Sequence, residues 1–283
     1  MRISSQQIFE NNVRSIQTHT SDVVEAQRQI SSGQRYKLAS DNALAAGLGV
    51  QVNFDNAQFT MFKVNQDHVS ASLASSDTQL QSIHDMLANL QKTMVQASND
   101  TLSTENRKLL GQQVESLRLS VQRFAQANDA NGQSILRTDA VNSVLVAPSL
   151  TIETGITYSE VMGRSQPGGT VVAGKVDVAT LLQSISTQLG SGAAPTTQQM
   201  DDLKAALDQV TRAQVKTGVL QNQLDAAVNA AESQRLNVDL ERSALLDTDL
   251  AQATADLARS NALLQAAQSI MTKLDTNTLF QKL

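Results

Sequence analysis

The stretch Leu80-Gln81-Ser82-Ile83-His84-Asp85-Met86-Leu87-Ala88-Asn89-Leu90-Gln91-Lys92-Thr93-Met94-Val95-Gln96-Ala97 decides the fold. Its apolar positions Leu80, Ile83, Leu87, Leu90, Met94 and Ala97 recur at steps of three and four. That spacing puts side chains on one face of an α-helix. Worked outward, the helix starts near Asp41–Asn42 and ends near Ser98. On its N-terminal side Phe9, Val13, Ile16, Thr20, Val23, Gln27 and Ile30 keep the same steps. They form a heptad seam with two polar members, stopped by Gly33, and Ser4 and Gln7 have capping-box spacing at its start. On the other side Leu110, Val114, Leu117, Val121 and Phe124 make a third helix, capped by Ser103 and closed by the turn residues Asn128 to Gly132.

Two further helices follow after a break. Leu203, Leu207, Val210, Thr217, Leu224, Val228 and Ala231 define one, with Thr197 as its cap. Leu250, Ala253, Leu257, Leu264, Ala267, Met271 and Leu274 define the last, with Asp247 and Asp249 in capping position. All three prolines and seven of the 13 glycines lie in the break, between 137 and 196. Within it Val144-Leu145-Val146 and Thr170-Val171-Val172 have strand composition, and Val178, Leu181, Leu182, Ile185 and Leu189 have helical spacing behind Asp177.

The expected fold is therefore mainly α, a long antiparallel helical bundle or coiled-coil rod with a small mixed, partly β inserted lobe. The expected parts are an N-terminal assembly helix and loop (1–40), a helical rod (41–136 plus 197–249), the surface-exposed lobe (137–196) and a C-terminal assembly helix (250–283). The terminal seams are narrow and rich in Ala, Thr and Gln. Isolated helices are marginal in water, so both ends are expected to be loose in the free chain and to order on assembly.

Composition excludes several functions. Aromatics are 3% of residues and Trp is absent, where compact cores and small-molecule pockets draw on aromatic area. A net charge of -5 with scattered Lys and Arg offers no footprint for nucleic acid. No run of about 20 apolar residues is present for membrane insertion, and no signal-peptide pattern opens the chain. Cysteine is absent. The three histidines are far apart in sequence without metal-ligand spacing, and His84 and Asp85 are adjacent on a helix, a poor geometry for coupling. Gly47-Leu48-Gly49 lies inside a helical stretch and is no phosphate loop. Asp247-Thr248-Asp249 lacks the other ligands of a cation loop. No enzyme activity, catalytic residue, cofactor or metal is expected.

The ends resemble the flagellin superfamily. Ile30-Ser31-Ser32-Gly33-Gln34-Arg35-Tyr36-Lys37-Leu38-Ala39-Ser40-Asp41-Asn42-Ala43-Leu44-Ala45-Ala46-Gly47 is similar to its Ser-Ser-Gly-x-Arg loop and acidic, Ala-Gly-rich helix start. Residues 97–103 and 128–136 resemble the turns ending its second and third helices, and 246–253 the start of its C-terminal helix. The four pieces occur in the family's order over about three quarters of the chain. Met1-Arg2-Ile3-Ser4 and Leu279-Phe280 look more like the branch that joins hook to filament than like filament subunits, although the loop lacks the two prolines and second aspartate common there.

The resemblance implies a structural, non-catalytic subunit of the bacterial flagellum. Such a subunit is exported to the cell exterior by the flagellar type III system without a cleaved signal peptide, aided by a cytoplasmic chaperone. Its partners would be copies of itself, the other junction protein and flagellin. Assembly would run through Phe9, Val13, Ile16, Val23, Ile30, Leu250, Leu257, Leu264, Met271, Leu274, Leu279 and Phe280, with Ser31, Ser32, Gly33, Arg35 and Asp41 as the family loop. A short filament flagellin is the alternative within the class. A coiled-coil signalling protein or adhesin predicts an unbroken heptad and usually a membrane anchor. An enzyme in the insert would have to work without a histidine there.

Overall fold

The computed structural model describes residues 5–36, 38–138 and 140–280, with side chains described for 7–36, 38–138 and 140–273. The helices are α1 (Ser5–Ser32), α2 (Ala43–Ala97), α3 (Thr104–Ala125), α4 (Tyr158–Met162), α5 (Val178–Gly190), α6 (Thr197–Leu246) and α7 (Leu250–Phe280). The strands are β1 (Leu136–Arg137), β2 (Ser143–Ala147), β3 (Leu150–Glu153) and β4 (Ile156–Thr157). The chain divides into a terminal unit, 1–57 with 234–283, and a central unit, 58–233. The division thus falls inside α2 and α6, and not at the expected limits of 40, 136, 197 and 249.

The central unit holds the large core. Leu80, Ile83, Leu87, Leu90, Met94 and Ala97 of α2 are all 1% exposed or less, the face expected from their spacing. Val114 and Val121 of α3 and Leu203, Val210, Thr217 and Leu224 of α6 are also buried. In α3 the seam steps from Val121 to Ala125, so Phe124 turns outward at 42% exposure. Ser103 caps α3 through the Asn106 amide. The cap of α6 is Thr196 and not Thr197: Thr196 Oγ1 accepts from the Gln199 amide (3.2 Å), and Gln199 Oε1 accepts from the Thr196 amide (3.0 Å). This reciprocal pair fills two orphan donors of the first turn.

The insert shares that core. Val146 and Ile152 of the β2–β3 hairpin, Val161 and Met162 of α4, and Leu182, Ile185 and Leu189 of α5 belong to the same buried cluster as the α2 row. The small mixed insert expected from the sequence is present, and its apolar side chains are buried in the shared core and not in one of its own. β2 and β3 pair antiparallel with a bulge between Leu145 and Ala147, whereas β1 and β4 pair parallel. Thr170-Val171-Val172 does not form a strand. Its pairing is one isolated bridge, Arg164 to Val171.

Polar side chains fasten the insert to the long helices. Asn65 donates to Leu145 O (2.7 Å) and Gln66 to Val146 O (2.8 Å), so α2 reads the backbone of the hairpin. Lys216 of α6 lies 2.8 Å from Glu153 and 2.9 Å from Glu160. Gln209, 2% exposed, accepts from the Val176 amide (3.1 Å) and donates to Val161 O (3.0 Å) and Val176 O (3.2 Å). Gly111 of α3 lets α5 approach: a Cβ there would lie 2.7 Å from Gly190 N.

Gln209→Leu keeps the volume but strands those buried backbone groups, which should cost about 1–3 kcal/mol, read as a lower midpoint of chemical unfolding. A second expectation concerns acid. Glu115 accepts from Arg118 (2.6 and 2.8 Å) and Ser186 (2.8 Å), and these bonds, Arg118 first, hold its carboxyl at about 2 against the ordinary 4.5. The folded carboxyl is depressed, so its contribution is complete above pH 4.5 and drains away as pH falls towards 2. Thermal unfolding followed over that window should show a smaller loss in Glu115→Gln than in the native chain.

Candidate assembly surface

The terminal unit is organised by a clasp of backbone groups. Gly33 takes a left-handed conformation (φ 67°) and its amide closes α1 on Gln29 O (2.9 Å). Glycine is the residue that adopts this conformation without a Cβ penalty. The chain then pairs with the segment between α6 and α7: Arg35 N donates to Leu246 O (2.8 Å) and Thr248 N to Gly33 O (2.9 Å). Since α1 ends and α7 begins at this clasp, the two helices pack antiparallel.

The remaining loop residues serve the clasp and the start of α2. Ser32 Oγ accepts from the Gln34 amide (3.2 Å), and Asp41 accepts from the Leu38 amide (3.0 Å). Asn42, one position on, caps α2 through the Ala45 amide (3.0 Å). Arg28 donates to Arg35 O (3.3 Å) and is paired with Glu25. The hydrogen bonds that Arg28 donates to the Glu25 carboxylate are the main reason that carboxyl sits at about 2, below the ordinary 4.5. The Arg35 guanidinium lies 5.4 Å from the Tyr36 ring centroid, within cation–π range. Ser31 is exposed. At α7, Asp249 accepts from the amides of Ala251 (2.9 Å) and Gln252 (3.1 Å). An open cleft of about 670 Å³ lies beside the clasp, with Arg35, Asp247, Asp249 and Asp256 among its walls.

The sequence-derived interface residues are not all alike in the single chain. Val13, Ile16, Val23 and Ile30 of α1 and Leu257, Leu264 and Met271 of α7 are half-buried. Phe9 and Leu250 are 45% and 54% exposed. The side chains of Leu274, Leu279 and Phe280 lie outside the described residues, as do Met1 to Ser4 with the proposed Ser4 cap, and Lys37. The polar seam members are displaced by one: Gln27 and Thr20 are exposed, while Ala26 is buried and His19 half-buried. An uninterrupted helix of 3.6 residues per turn drifts off a strict heptad, and over α1 the drift carries the seam onto the neighbours. His84 and Asp85 do approach, at 3.5 Å, on the solvent side of α2.

Among the described residues, the buried apolar side chains of the terminal unit are Ala26, Ala45, Val52, Ala253 and Ala267. Thirteen of the 24 exposed large apolar side chains lie in the same unit, including Ile8, Phe9, Val24, Leu263 and Ile270 on α1 and α7. Burying an alanine methyl yields about 0.8 kcal/mol, against about 1.5–3 for a leucine or phenylalanine. Apart from Val52 the fully buried apolar side chains of the unit are thus alanines, while many of its larger apolar groups are half-buried or face outward. Sequence reading missed Ile8, Val24, Leu263 and Ile270 because a single a/d seam was sought where each helix carries two apolar faces.

This construction, two end segments joined into one helical unit with uncovered apolar faces, agrees with the family comparison. The bacterial flagellin N-terminal helical region matches residues 3–140, and the bacterial flagellin C-terminal helical region matches residues 200–283. The chain belongs to the bacterial flagellin family and is a flagellar structural component that assembles with copies of itself and other flagellar proteins. It is 22% identical to flagellar hook-associated protein 3 of Escherichia coli (strain K12) over 99% of both chains. It is 20% identical to a flagellin of Halalkalibacterium halodurans, covering 87% of this chain and 85% of that one. Its fold is that of the flagellar junction protein FlgL from Legionella pneumophila, with a TM-score of 0.56 and 14% identity over 71% of this chain and 100% of the other.

Replacing outward residues should leave the isolated chain intact. Leu263→Glu with Ile270→Glu is expected to shift its unfolding free energy by no more than about 0.5 kcal/mol while reducing binding of an apolar dye. A loss several times larger would mean that these faces are covered within the chain.

Proposed function

We propose that this chain is the junction subunit that joins the flagellar hook to the filament, polymerising through α1 and α7. The observation that carries this reading is the inversion of burial in the terminal unit, where alanines lie inside and Phe9, Val24, Leu263 and Ile270 lie outside. Such a unit reaches its full stability when neighbours cover those faces. Full-length similarity to a relative named hook-associated protein 3 supports the junction position. Its partners are further copies of itself, the other junction protein on the hook side and the first flagellin subunits on the filament side. A cytoplasmic chaperone holds the chain before its export, unfolded, through the type III apparatus to the cell exterior. A seam of small side chains has few interlocking knobs, so neighbouring helices can slide between related packings. That tolerance suits a joint between a bent and a straight polymer.

A second reading, a short filament flagellin, is favoured by the flagellin of Halalkalibacterium halodurans, similar over 87% of this chain. Deletion of the gene separates the two. The junction role predicts complete hooks without filaments and flagellin shed into the medium, both restored by the native chain on a plasmid. Hooks bearing the junction proteins but no filament, with no flagellin shed because none is made, would mean that this chain is the filament subunit.

A further inference from the structure

Two glycines in the first turns of α2 differ in their surroundings. A Cβ at Gly49 would meet the Leu246 side chain at 3.3 Å, so this glycine serves the packing of α2 on α6 within the terminal unit. A Cβ at Gly47 would meet nothing within 4 Å. Apart from proline, glycine is the least favourable residue in a helix interior, and no contact among the described residues requires it at this position. Where α3 meets α5, Gly111 shows the usual reason for such a residue, a backbone approach at 2.7 Å.

The surroundings of Gly47 indicate what approaches it. Leu44, Val50 and Phe54 stand at i−3, i+3 and i+7, on the same side of the helix. They are 74%, 70% and 63% exposed. Between residues 43 and 57 the only charged residue is Asp55, which is half-buried and accepts from Gln51 (2.9 Å). An exposed helical face without charge, with a notch between large apolar side chains, is the composition of an interface centre and not of a solvated surface.

We infer that the Gly47 face of α2 receives a helix of a second copy of this chain, packed close enough to exclude a side chain at position 47. The three- and four-residue spacing of the face selects a helix, since side chains of one helix lodge between those of another at this spacing. A second copy is the occupant because the family assembles with itself and the chain carries matching uncharged, uncovered helix faces, such as Leu263 with Ile270 on α7. Three exposed side chains cover about half of the roughly 800 Å² per partner that a standard interface buries. The contact therefore works only in a polymer, where it is repeated beside others. The inference rests on the flagellar assembly reading above.

The test uses the full chain in its native host, with the chromosomal copy removed. First, the native chain from a plasmid must restore assembly, and its failure to do so would count against the flagellar reading and not against this contact. Gly47→Ala and Gly47→Leu should leave the melting temperature of the purified chain unchanged or raised. Gly47→Leu should lower incorporation into flagella at least tenfold, with Gly47→Ala between it and the native chain. Native incorporation of a folded Gly47→Leu chain overturns the inference. In parallel, a photoreactive phenylalanine analogue placed at Phe54 should cross-link, in isolated flagella, to a peptide of this same chain from a neighbouring copy. Cross-linking to a different flagellar protein, or none in flagella that contain the substituted chain, overturns it as well.

Discussion

The apolar row of α2 from Val69 to Ala97 is the surface on which the central unit is built. α3, α6, the β2–β3 hairpin, α4 and α5 are fixed by what they bury against it or against each other, and the row itself is closed to solvent along its length. A row of this kind stabilises about 1.5–3 kcal/mol for each large side chain removed from water. The polar fasteners are secondary to it. Asn65, Gln66 and Gln209 choose which backbone groups meet the helices, and their net contribution is small beside the penalty for leaving those groups unpaired.

The terminal unit follows the opposite rule. Among the described residues its buried interior is four alanines and Val52, its register is set by main-chain hydrogen bonds at Gly33 and Thr248, and many of its large apolar groups face outward. Two parts of one chain thus differ in what completes them. The central unit encloses a large apolar core of its own. The terminal unit presents unmet hydrophobic area that a polymer can cover, with no chemistry required beyond exclusion of water.

Much of this was legible in the residues. The three- and four-residue steps of Leu80 to Ala97 gave the main helix and its buried face, and Ser103, Asp177 and Gly33 marked true helix ends. The insert was harder. Val144 to Val146 and Thr170 to Val172 both have strand composition, yet the first pairs with a partner strand and the second forms one isolated bridge. Strand formation depends on a neighbour, which local sequence does not name. Membership of the insert in the core was hidden for the same reason, since alternating burial in β2 reports a covered face without saying what covers it. On the assembly surface the heptad search found one face of each terminal helix and overlooked the other. The exposed faces carry large apolar residues as the half-buried seam does, and the lack of charge between 43 and 54 was the usable signal.

The clasp at Gly33 and Thr248 joins points 215 positions apart in the chain. Helices α2 to α6 and all four strands lie between these points in the sequence, and of them only α6 takes part in the closure, through its last residue Leu246. Whichever end of the polypeptide becomes available first must therefore wait for the other, and loop-closure entropy delays their meeting further. The terminal unit consequently acts as a completeness check: a chain that lacks either end cannot present the paired ends.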